Sequence, residues 1–447
     1  MGLIDKIKNV LSTDSEQIQT EEIIDAQGSN TIVNGAYKGN SKLKDIKISD
    51  TVEIIMAEAF EKCENLHSVK LPIKLQNIKQ RTFYGCKQLS KIILNNQVKI
   101  ISNGAFESCH ALQDITLPNS LLAIDNAAFY DCQNLKSIKI PEGVERIGSN
   151  TFGLCTSLEE IKLPSSLKTI DSKAFSGCLK MKNLELPENL RHIGANPLYG
   201  YRNITIKSNS PRFLVKDNML IDDEKHCLIS YFGSQDKVVI PEGIKRIGGY
   251  AFGDNKTLQN IIFPSTLERI GVEAFAGCNS LKNIELPNNV KVISEYAFCN
   301  CESITQFNVP QSTKTISENM LLNCTSLNKV TIPQSVTKIQ KFAFNGCCSL
   351  KEIKIPETVT TLESAFDGCS SIKTFKIPYG IETIGSYMFR NCSNLQFVFI
   401  PETVTTIGLG IFEGCNMLQK ICITKGYREH FQELLYKKYW DKIEELI

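Results

Sequence analysis

The chain contains little histidine, a residue on which many catalytic and metal sites depend, and little tryptophan. It has five histidines and one tryptophan among 447 residues. No two of the histidines stand three or four positions apart, as a metal-binding helix requires. The sequence also lacks a P-loop, a G-x-G-x-x-G fingerprint and a G-x-S-x-G nucleophile elbow. We therefore predict that the protein is not an enzyme, has no catalytic residues, and uses no metal and no cofactor.

The chain also lacks an excess of either charge and any long apolar run. It carries 50 Lys and Arg against 48 Asp and Glu, and the two signs are mixed along the sequence. A nucleic-acid-binding domain usually shows a basic block or face, so this class of protein is not supported. Because no run reaches about 18 apolar residues, no membrane-spanning helix is predicted.

The first eleven residues do not have the pattern of a signal peptide. Charged residues at Asp5, Lys6 and Lys8 interrupt the apolar ones, whereas a signal peptide needs a continuous apolar region. We therefore expect a cytoplasmic protein. The alternative is export, either by an unconventional route or with a leader that this sequence lacks.

What the sequence does contain is a phenylalanine that recurs at a spacing of 23 residues. The positions are Phe60, Phe83, Phe106, Phe129, Phe152, Phe175, Phe252, Phe275, Phe298, Phe344, Phe366, Phe389 and Phe412, with one spacing shortened to 22 residues and two interruptions. So regular a period indicates one supersecondary unit that is copied and stacked into a solenoid. Such a protein presents a long repetitive surface, which favours a binding function.

The repeat at residues 135–157 shows how one copy is expected to fold. Ile138 and Ile140 alternate with a polar residue, which is the period of a short strand with one buried face. The proline that follows ends the strand because it has no N–H to donate. Val144 and Ile147 predict a second short segment, extended or a helical turn, and Phe152, whose counterpart follows Ala in most other copies, fills the interior.

These residues resemble the BspA-like leucine-rich repeats, whose pattern is close to L-x-x-I-x-I-P-x-x-V-x-x-I-x-x-x-A-F-x-x-C. The resemblance covers about Tyr37 to Ile423. It implies a right-handed α/β solenoid of the leucine-rich-repeat type. It also implies a surface-exposed or secreted adhesion protein of a host-associated microbe, which binds extracellular-matrix proteins or proteins of other cells.

Stacked repeats predict a parallel sheet with one short strand per repeat and about 17 rungs. We expect the solenoid at residues 31–426. Residues 1–30 predict a short amphipathic helix followed by a polar linker. Residues 427–447 predict a capping helix, because apolar residues such as Phe431 and Leu434 recur there at helical spacing.

The repeat is broken most strongly between Leu198 and Phe252, which lie 54 residues apart. Two or three short strands are expected there, around turns at Asp217-Asn218 and at residues 222–225. We predict a β insertion at about residues 207–237 that protrudes from the solenoid. It could act as a hinge or contribute to a ligand site.

Cysteine is abundant, with 17 residues, of which thirteen stand three positions after the phenylalanine position of a repeat. We interpret these thirteen as a column of buried structural thiols. Disulfides and a metal site are the alternatives, but neighbouring side chains should run parallel, and no C-x-x-C pair exists. Cys422 lies outside the column at an outward strand position, so it is expected to be an exposed thiol unless the C-terminal helix covers it.

A solenoid of this kind binds through the outward face of its strand-lined surface. The central outward column reads Lys47, Lys70, Ile93, Thr116, Lys139, Lys162, Glu185, Thr205, Val239, Ile262, Glu285, Asn308, Thr331, Lys354, Lys376, Phe399 and Cys422. Two places on this polar face are apolar: the rung with Phe397 and Phe399, and the pair Val239 and Ile262. Each is either a partner site or covered internally, the first by the C-terminal helix and the second by Tyr231 or Phe232.

We therefore predict a monomeric, non-enzymatic protein-binding protein, either adhesin-like or a scaffold. The candidate binding residues are Phe397, Phe399, Val239, Ile262, Lys354 and Lys376. One alternative is a purely structural protein that assembles end to end. The other is an enzyme with its site at the insertion.

Overall fold

The computed structural model describes residues 22–26 and 28–446. It divides into two compact units, Met1–Ser166 and Leu167–Ile447. The predicted N-terminal helix lies outside the described residues. The predicted parallel-stranded repeat solenoid is confirmed, and each unit has this architecture.

In the first unit most rungs contribute two short strands, one to each of two parallel ladders. The main sheet holds β1 (Glu22–Ile24), β3 (Asp45–Ile48), β5 (Ser68–Lys70), β7 (Lys91–Ile93), β10 (Ser137–Lys139) and β12 (Glu160–Lys162). The second ladder holds β2 (Thr31–Ile32), β4 (Ile54–Ile55), β6 (Asn77–Ile78), β8 (Ile100–Ile101), β9 (Ala123–Ile124) and β11 (Arg146–Ile147). The second segment of the repeat is therefore extended and not a helical turn.

The predicted boundary between linker and solenoid is wrong, because strand β1 lies before it. Residues 12–30 are polar enough to suggest an unstructured connection, but Glu22, Ile23 and Ile24 pair in parallel with β3. Ile24 is buried, whereas Ile23 is 68% exposed. One inward-facing isoleucine is enough to begin the sheet here, because the neighbouring strand supplies the hydrogen bonds.

The segment around the repeated phenylalanine forms a third side of each rung. The N–H of Phe106 donates to the carbonyl of Ala128 in the next rung at 2.8 Å, and equivalent bonds recur along the unit. The residues two before and two after each phenylalanine have left-handed backbone, such as Ala127 at φ +54° and Asp131 at φ +60° around Phe129. This conformation directs every second N–H toward the next rung, so the third side is also hydrogen-bonded.

The phenylalanine rings fill the interior as a continuous stack. Ring centroids of successive rungs in the first unit lie 5.1 to 5.6 Å apart, and Tyr37 occupies the phenylalanine position of the first rung. The column cysteines lie beside the stack, where most thiols donate to the carbonyl of the residue at the phenylalanine position of the preceding rung. Cys86 Sγ lies 3.1 Å from Phe60 O, and Cys109 Sγ lies 3.2 Å from Phe83 O.

The second unit repeats this plan with more interruptions. Its main-sheet strands are β14 (Asn183–Leu186), β16 (Thr205–Ser208), β20 (Lys237–Val239), β22 (Asn260–Ile262), β25 (Gln306–Asn308), β27 (Lys329–Thr331), β30 (Thr374–Lys376), β32 (Phe397–Ile400), β34 (Lys420–Thr424) and β35 (Ile443–Leu446). Its second-ladder strands are β13 (Thr169–Ile170), β15 (His192–Ile193), β21 (Arg246–Ile247), β23 (Arg269–Ile270), β24 (Val292–Ile293), β26 (Thr315–Ile316), β28 (Lys338–Ile339), β29 (Thr361–Leu362), β31 (Thr383–Ile384) and β33 (Thr406–Ile407).

The insertion consists of β17 (Phe213–Lys216), β18 (Met219–Asp222) and β19 (Cys227–Tyr231). The first two pair antiparallel around Asp217 and Asn218, which both have positive φ as a tight hairpin turn requires. Its end does not protrude as predicted. β19 pairs in parallel with β21, and the Tyr231 ring stacks on Phe252 at 5.0 Å. The insertion thus returns to the solenoid and supplies the aromatic residue of a rung.

The C-terminal segment contains the predicted helix, but the helix is short. Helix α1 covers Arg428–Leu434, a 3-10 helix covers Lys437–Lys442, and β35 pairs in parallel with β34. Phe431, on α1, is fully buried against the end of the solenoid. The prediction of a single helix over 427–447 is wrong in extent, because the open edge of β34 needs hydrogen-bond partners that only an extended segment provides.

The left-handed position before the phenylalanine can be tested with Ala127→Gly. Glycine removes the steric cost of positive φ, so we expect the free energy of unfolding to rise by about 0.5 to 1 kcal/mol. The matched control is Ala111→Gly, since Ala111 is also half-buried but does not have positive φ. There glycine should lower stability by about 0.5 to 1 kcal/mol. Chemical denaturation measures both, and equal effects of the two substitutions would contradict the left-handed assignment.

Candidate functional site

The last rungs of the second unit expose a run of consecutive outward positions on the main sheet. Strands β30, β32 and β34 pair in parallel, which places Phe399 between Lys376 and Cys422. The inward residues of these strands are buried in the core. The outward residues are therefore held at strand spacing by a rigid backbone, whatever their own chemistry is.

Phe397 and Phe399 lie on this outward face and are both half-buried. Phe397 stands beside Lys420 of β34, and Phe399 stands beside Cys422. Each ring therefore keeps an exposed part that is available for contact. Helix α1 does not belong to this sheet, whose order is β30, β32, β34 and β35.

A groove of about 340 Å³ lies beside Phe399. Its lining includes the apolar side chains of Phe399 and Leu446, together with Tyr379. Leu446 comes from β35, so the cap contributes one wall of the groove. This is the place on the sheet of the second unit where a partner could insert an apolar side chain.

Hydrogen bonds fix the polar groups around the groove. Tyr379 Oη donates to Glu402 Oε1 at 2.9 Å, and Thr424 Oγ1 donates to Glu402 Oε2 at 2.5 Å. The hydrogen bond from Thr424, one from the backbone and that from Tyr379 hold the pKa of Glu402 below its usual value. The tyrosine ring is thereby oriented at the groove without a bound partner.

The two predicted lysines lie in the rungs that precede Phe399. Lys376 Nζ lies 2.9 Å from Glu357 Oε1. The pKa of Glu357 is lowered, first by a hydrogen bond from the Tyr379 backbone N–H and then by Lys376, with a smaller effect of Lys354. Lys354 is exposed and forms no ion pair within the described part of the chain. On this side, the approach to the groove therefore carries the charge of Lys354 and the ion pair of Lys376 with Glu357.

The second predicted apolar spot is an exposed pair. Val239 and Ile262 lie opposite each other in β20 and β22, and they are 55% and 47% exposed. The alternative that Tyr231 or Phe232 covers them is wrong, because both aromatic residues are themselves 2% exposed inside the core. Tyr231 is used as a rung residue, so it cannot reach the outer face.

One residue of the predicted outward column requires correction. The register pairs Leu184 with Ile206 and Glu185 with Lys207, so the outward residue of that rung is Lys207 and not Thr205. The alternation at Ile204 and Ile206 suggested the wrong pair of inward positions, because β16 begins at Thr205, one residue after Ile204, and continues to Ser208. Lys207 Nζ lies 2.9 Å from Glu185.

The cysteines offer little accessible chemistry. All thirteen column thiols are buried, and none of the 17 cysteines forms a disulfide. Burial raises the pKa of the Cys63 thiol to about 11 and that of Cys278 to about 12. Cys422 is not the exposed thiol that its outward position predicts. It is 5% exposed, because β35 places Glu444 beside it, whereas Cys348 is exposed.

The histidine next to the column is hydrogen-bonded to a carboxylate and does not form a catalytic triad. His110 Nε2 lies 2.9 Å from Asp131 Oδ2, and Ser108 Oγ donates to the same oxygen at 3.1 Å. Because the hydroxyl and the imidazole both bond to the carboxylate, the imidazole does not take the proton of the serine as a triad requires. Among the described residues, no group of three or more His, Cys, Asp or Glu is placed to hold a metal ion.

Sequence reasoning missed Tyr379, Glu402 and Leu446 as groove residues. A signal for the first two existed, since they directly follow the strand-ending prolines of consecutive repeats and must lie on adjacent rungs. Leu446 carried no such signal. A helical pattern places it away from the sheet, and only the pairing of β35 with β34 brings it to the groove.

Comparison with known proteins identifies the repeat. The sequence profile of the BspA type leucine rich repeat region matches residues 30–155, 122–213, 228–347 and 315–439. These segments span most of the chain. The chain belongs to the BspA type leucine-rich repeat family.

Several solved structures are similar to this chain, and the first of the three described here supports the leucine-rich-repeat fold. A leucine-rich repeat protein from Eubacterium ventriosum is 21% identical, covers 79% of this chain and 84% of its own, and has a TM-score of 0.55. A leucine-rich repeat protein from Bacteroides ovatus is 27% identical, and the match covers 90% of this chain and 88% of that protein, with a TM-score of 0.43. A leucine rich cell surface protein from Faecalibacterium prausnitzii is 23% identical, and the match covers 92% of this chain and 85% of that protein, with a TM-score of 0.42. No curated protein matches the chain.

The helices of this BspA type protein are short. Within residues 22–26 and 28–446, none combines the length and the apolar character that a membrane span requires.

Thiol labelling tests the burial of the cysteine column. In the folded protein at about pH 8, near the ordinary pKa of a thiol, we expect one fast-reacting cysteine, Cys348, because the column thiols are inaccessible and their pKa values are raised. Cys348→Ser should remove the fast phase in a colorimetric disulfide-exchange assay, and Cys422→Ser should leave it intact. Fast reaction of thiols other than Cys348 and the half-buried Cys227 would show that the column is open.

The exposure of the Val239 and Ile262 pair predicts that it contributes little to stability. Val239→Ser and Ile262→Ser should each change the free energy of unfolding by no more than about 0.5 kcal/mol. The matched control is Val238→Ser in the same strand, which places a hydroxyl in the core and should cost about 2 kcal/mol or more. Denaturant titration measures all three. A large cost of the Val239 substitution would mean that this pair is covered.

Proposed function

We propose that this protein is a non-enzymatic binding protein that recognises a protein partner through the outward face of the main sheet in its second unit. The observation that carries the proposal is the apolar groove of about 340 Å³ beside Phe399. An apolar recess on an otherwise polar sheet is the kind of feature in which a partner anchors one large side chain.

Three features support this groove as an anchor point. The half-buried ring of Phe399 requires little further ordering when a partner binds, since the strand already fixes it. The hydrogen bond from Tyr379 to Glu402 orients a second aromatic ring at the groove. Lys354 lies in a preceding rung and adds one positive charge to the rim, beside the ion pair of Lys376 with Glu357. The matching partner surface has an apolar or aromatic anchor with a carboxylate on one side.

Val239 and Ile262 provide a second apolar contact on the same face of the unit. Both side chains are about half exposed, and neither Tyr231 nor Phe232 covers them. Such a pair adds apolar contact area to an interface when an anchor elsewhere holds the complex. The proposal applies both to an adhesin at the cell surface and to a scaffold inside the cell. Digestion of intact cells by added protease distinguishes these two locations.

The test replaces the aromatic rung by Phe397→Ser with Phe399→Ser. Proteins captured by the immobilised full chain, quantified by mass spectrometry, should be lost when both rings are removed. Lys354→Glu with Lys376→Glu should weaken capture of the same proteins, because it reverses the charge of the rim.

The matched control is Leu409→Ser with Met417→Ser. These residues are 63% and 49% exposed in the same region of the chain but lie outside the strands of the sheet, so their loss should leave capture unchanged. Capture of the same proteins by the double phenylalanine variant would contradict the assignment of the site. A wild-type chain that captures nothing beyond an unrelated bait, and that forms large assemblies in light scattering, would favour the purely structural alternative.

A further inference from the structure

The main sheet of the first unit carries a second surface with a different chemistry. Its central outward column contains two pairs of lysines with two uncharged residues between them. The six residues, here called the lysine column, are Lys47, Lys70, Ile93, Thr116, Lys139 and Lys162. The register places Lys47 directly opposite Lys70, and Lys139 directly opposite Lys162.

Like charges in directly opposite positions of neighbouring strands destabilise a sheet. Within the described residues, Lys47, Lys70 and Lys139 form no ion pair that would offset this repulsion. The equivalent rungs at the start of the second unit show the contrasting arrangement, in which Glu185 faces Lys207 with the charged groups 2.9 Å apart. The lysine column therefore has a positive potential that anions from outside the chain would neutralise.

The middle of the column is a shallow depression in which an apolar side chain is exposed. Residues 112–118 form no strand, so the main sheet is interrupted between β7 and β10. A cavity of about 330 Å³ opens at this interruption, and its lining includes Ile93 and Thr116 together with the charged residues Lys91 and Asp114. Ile93 is 51% exposed there. An apolar contact point is thus located between two positively charged ends.

The two lysine pairs and the depression between them are spaced to match an extended peptide that runs along the column. Lys70 and Lys139 are three rungs apart, a distance of about 14 Å at the usual separation of neighbouring strands. Four residues of an extended chain span about 13 Å, and alternate side chains point to the same side. Residues i and i+4 of such a peptide would face the two lysine pairs, while residue i+2 would face the depression.

We propose that the lysine column of the first unit binds an extended acidic segment of a protein, with carboxylates at positions i and i+4 and an apolar side chain at position i+2. The carboxylates pair with Lys70 and Lys139, and the apolar side chain packs against Ile93. A uniformly charged polymer such as a sulfated polysaccharide fits less well, because it offers no apolar group to the depression. This site is separate from the groove beside Phe399 and does not depend on it.

The probe is a fluorescent nine-residue peptide that reads Gly-Ser-Glu-Ser-Ile-Ser-Glu-Ser-Gly, titrated with the full chain and followed by anisotropy. We expect saturable binding that weakens as salt is raised above about 0.15 M. A peptide with the same composition but with its two glutamates adjacent should bind at least about fivefold more weakly, since only one carboxylate then reaches a lysine pair.

The variant that tests the column is Lys70→Glu with Lys139→Glu, which should weaken binding of the peptide by about tenfold or more. Both changes place a carboxylate opposite a lysine, as Glu185 stands opposite Lys207, so the fold should be preserved, and a thermal melt checks this. The matched control is Lys79→Glu with Lys99→Glu. It makes the same change in net charge at exposed positions next to the second ladder, and it should alter binding less than about twofold.

A third variant, Ile93→Ser, tests the apolar contact without any change of charge. It should weaken binding of the isoleucine peptide and have little effect on a peptide with serine in place of isoleucine. The proposal would be overturned if the two charge-reversal variants lost peptide affinity equally, or if the protein bound the two peptides with different glutamate spacings equally well. Either result would show only a general attraction of anions. Binding of heparin without binding of the peptide would also overturn it.

Discussion

The structure depends on one constraint: a rung is complete only when the next rung covers it. Each rung exposes the edge of its strands, half of the hydrogen-bonding groups around its phenylalanine, and one face of the phenylalanine ring. The next rung satisfies all three, through the two ladders, the bonds from phenylalanine N–H groups to the following rung, and ring contacts such as the 5.6 Å stack of Phe83 on Phe106. The left-handed residues on both sides of each phenylalanine make the third set of bonds possible.

This constraint also decides which residues are free to act. Inward strand residues, phenylalanines and column cysteines are all committed to contacts with neighbouring rungs, so their chemistry is not accessible. The outward strand positions do not take part in the stacking, and their chemistry can vary between rungs at little cost. For this reason the candidate surfaces, the groove beside Phe399 and the lysine column, both lie on outward positions.

The structure at each interruption of the repeat depends on which hydrogen bonds and ring contacts the neighbouring rung requires. The insertion returns to the stack, because the rung of Phe252 requires a ring and a strand, which Tyr231 and β19 supply. At the C-terminus the chain ends in β35 because β34 needs an edge partner, and this places Leu446 at the groove. At residues 112–118 the main sheet loses its strand while the second ladder continues through β9. The rung is kept, and a cavity opens on the outer face.

The sequence by itself determined the repeat, the inward and outward positions of most strands, and the burial of the cysteine column. It could do so because a period of 23 residues places the same side chain in the same environment many times. Only the tertiary structure decided the strand register, the pairing at the sheet edge and the exposure of particular side chains. It shows that Lys207 and not Thr205 belongs to the central outward column, that Cys422 is buried beside Glu444, and that Val239 is exposed. The physical reason is that register and edge pairing are set by hydrogen bonds between residues distant in sequence, whose partners no local pattern of apolar residues specifies.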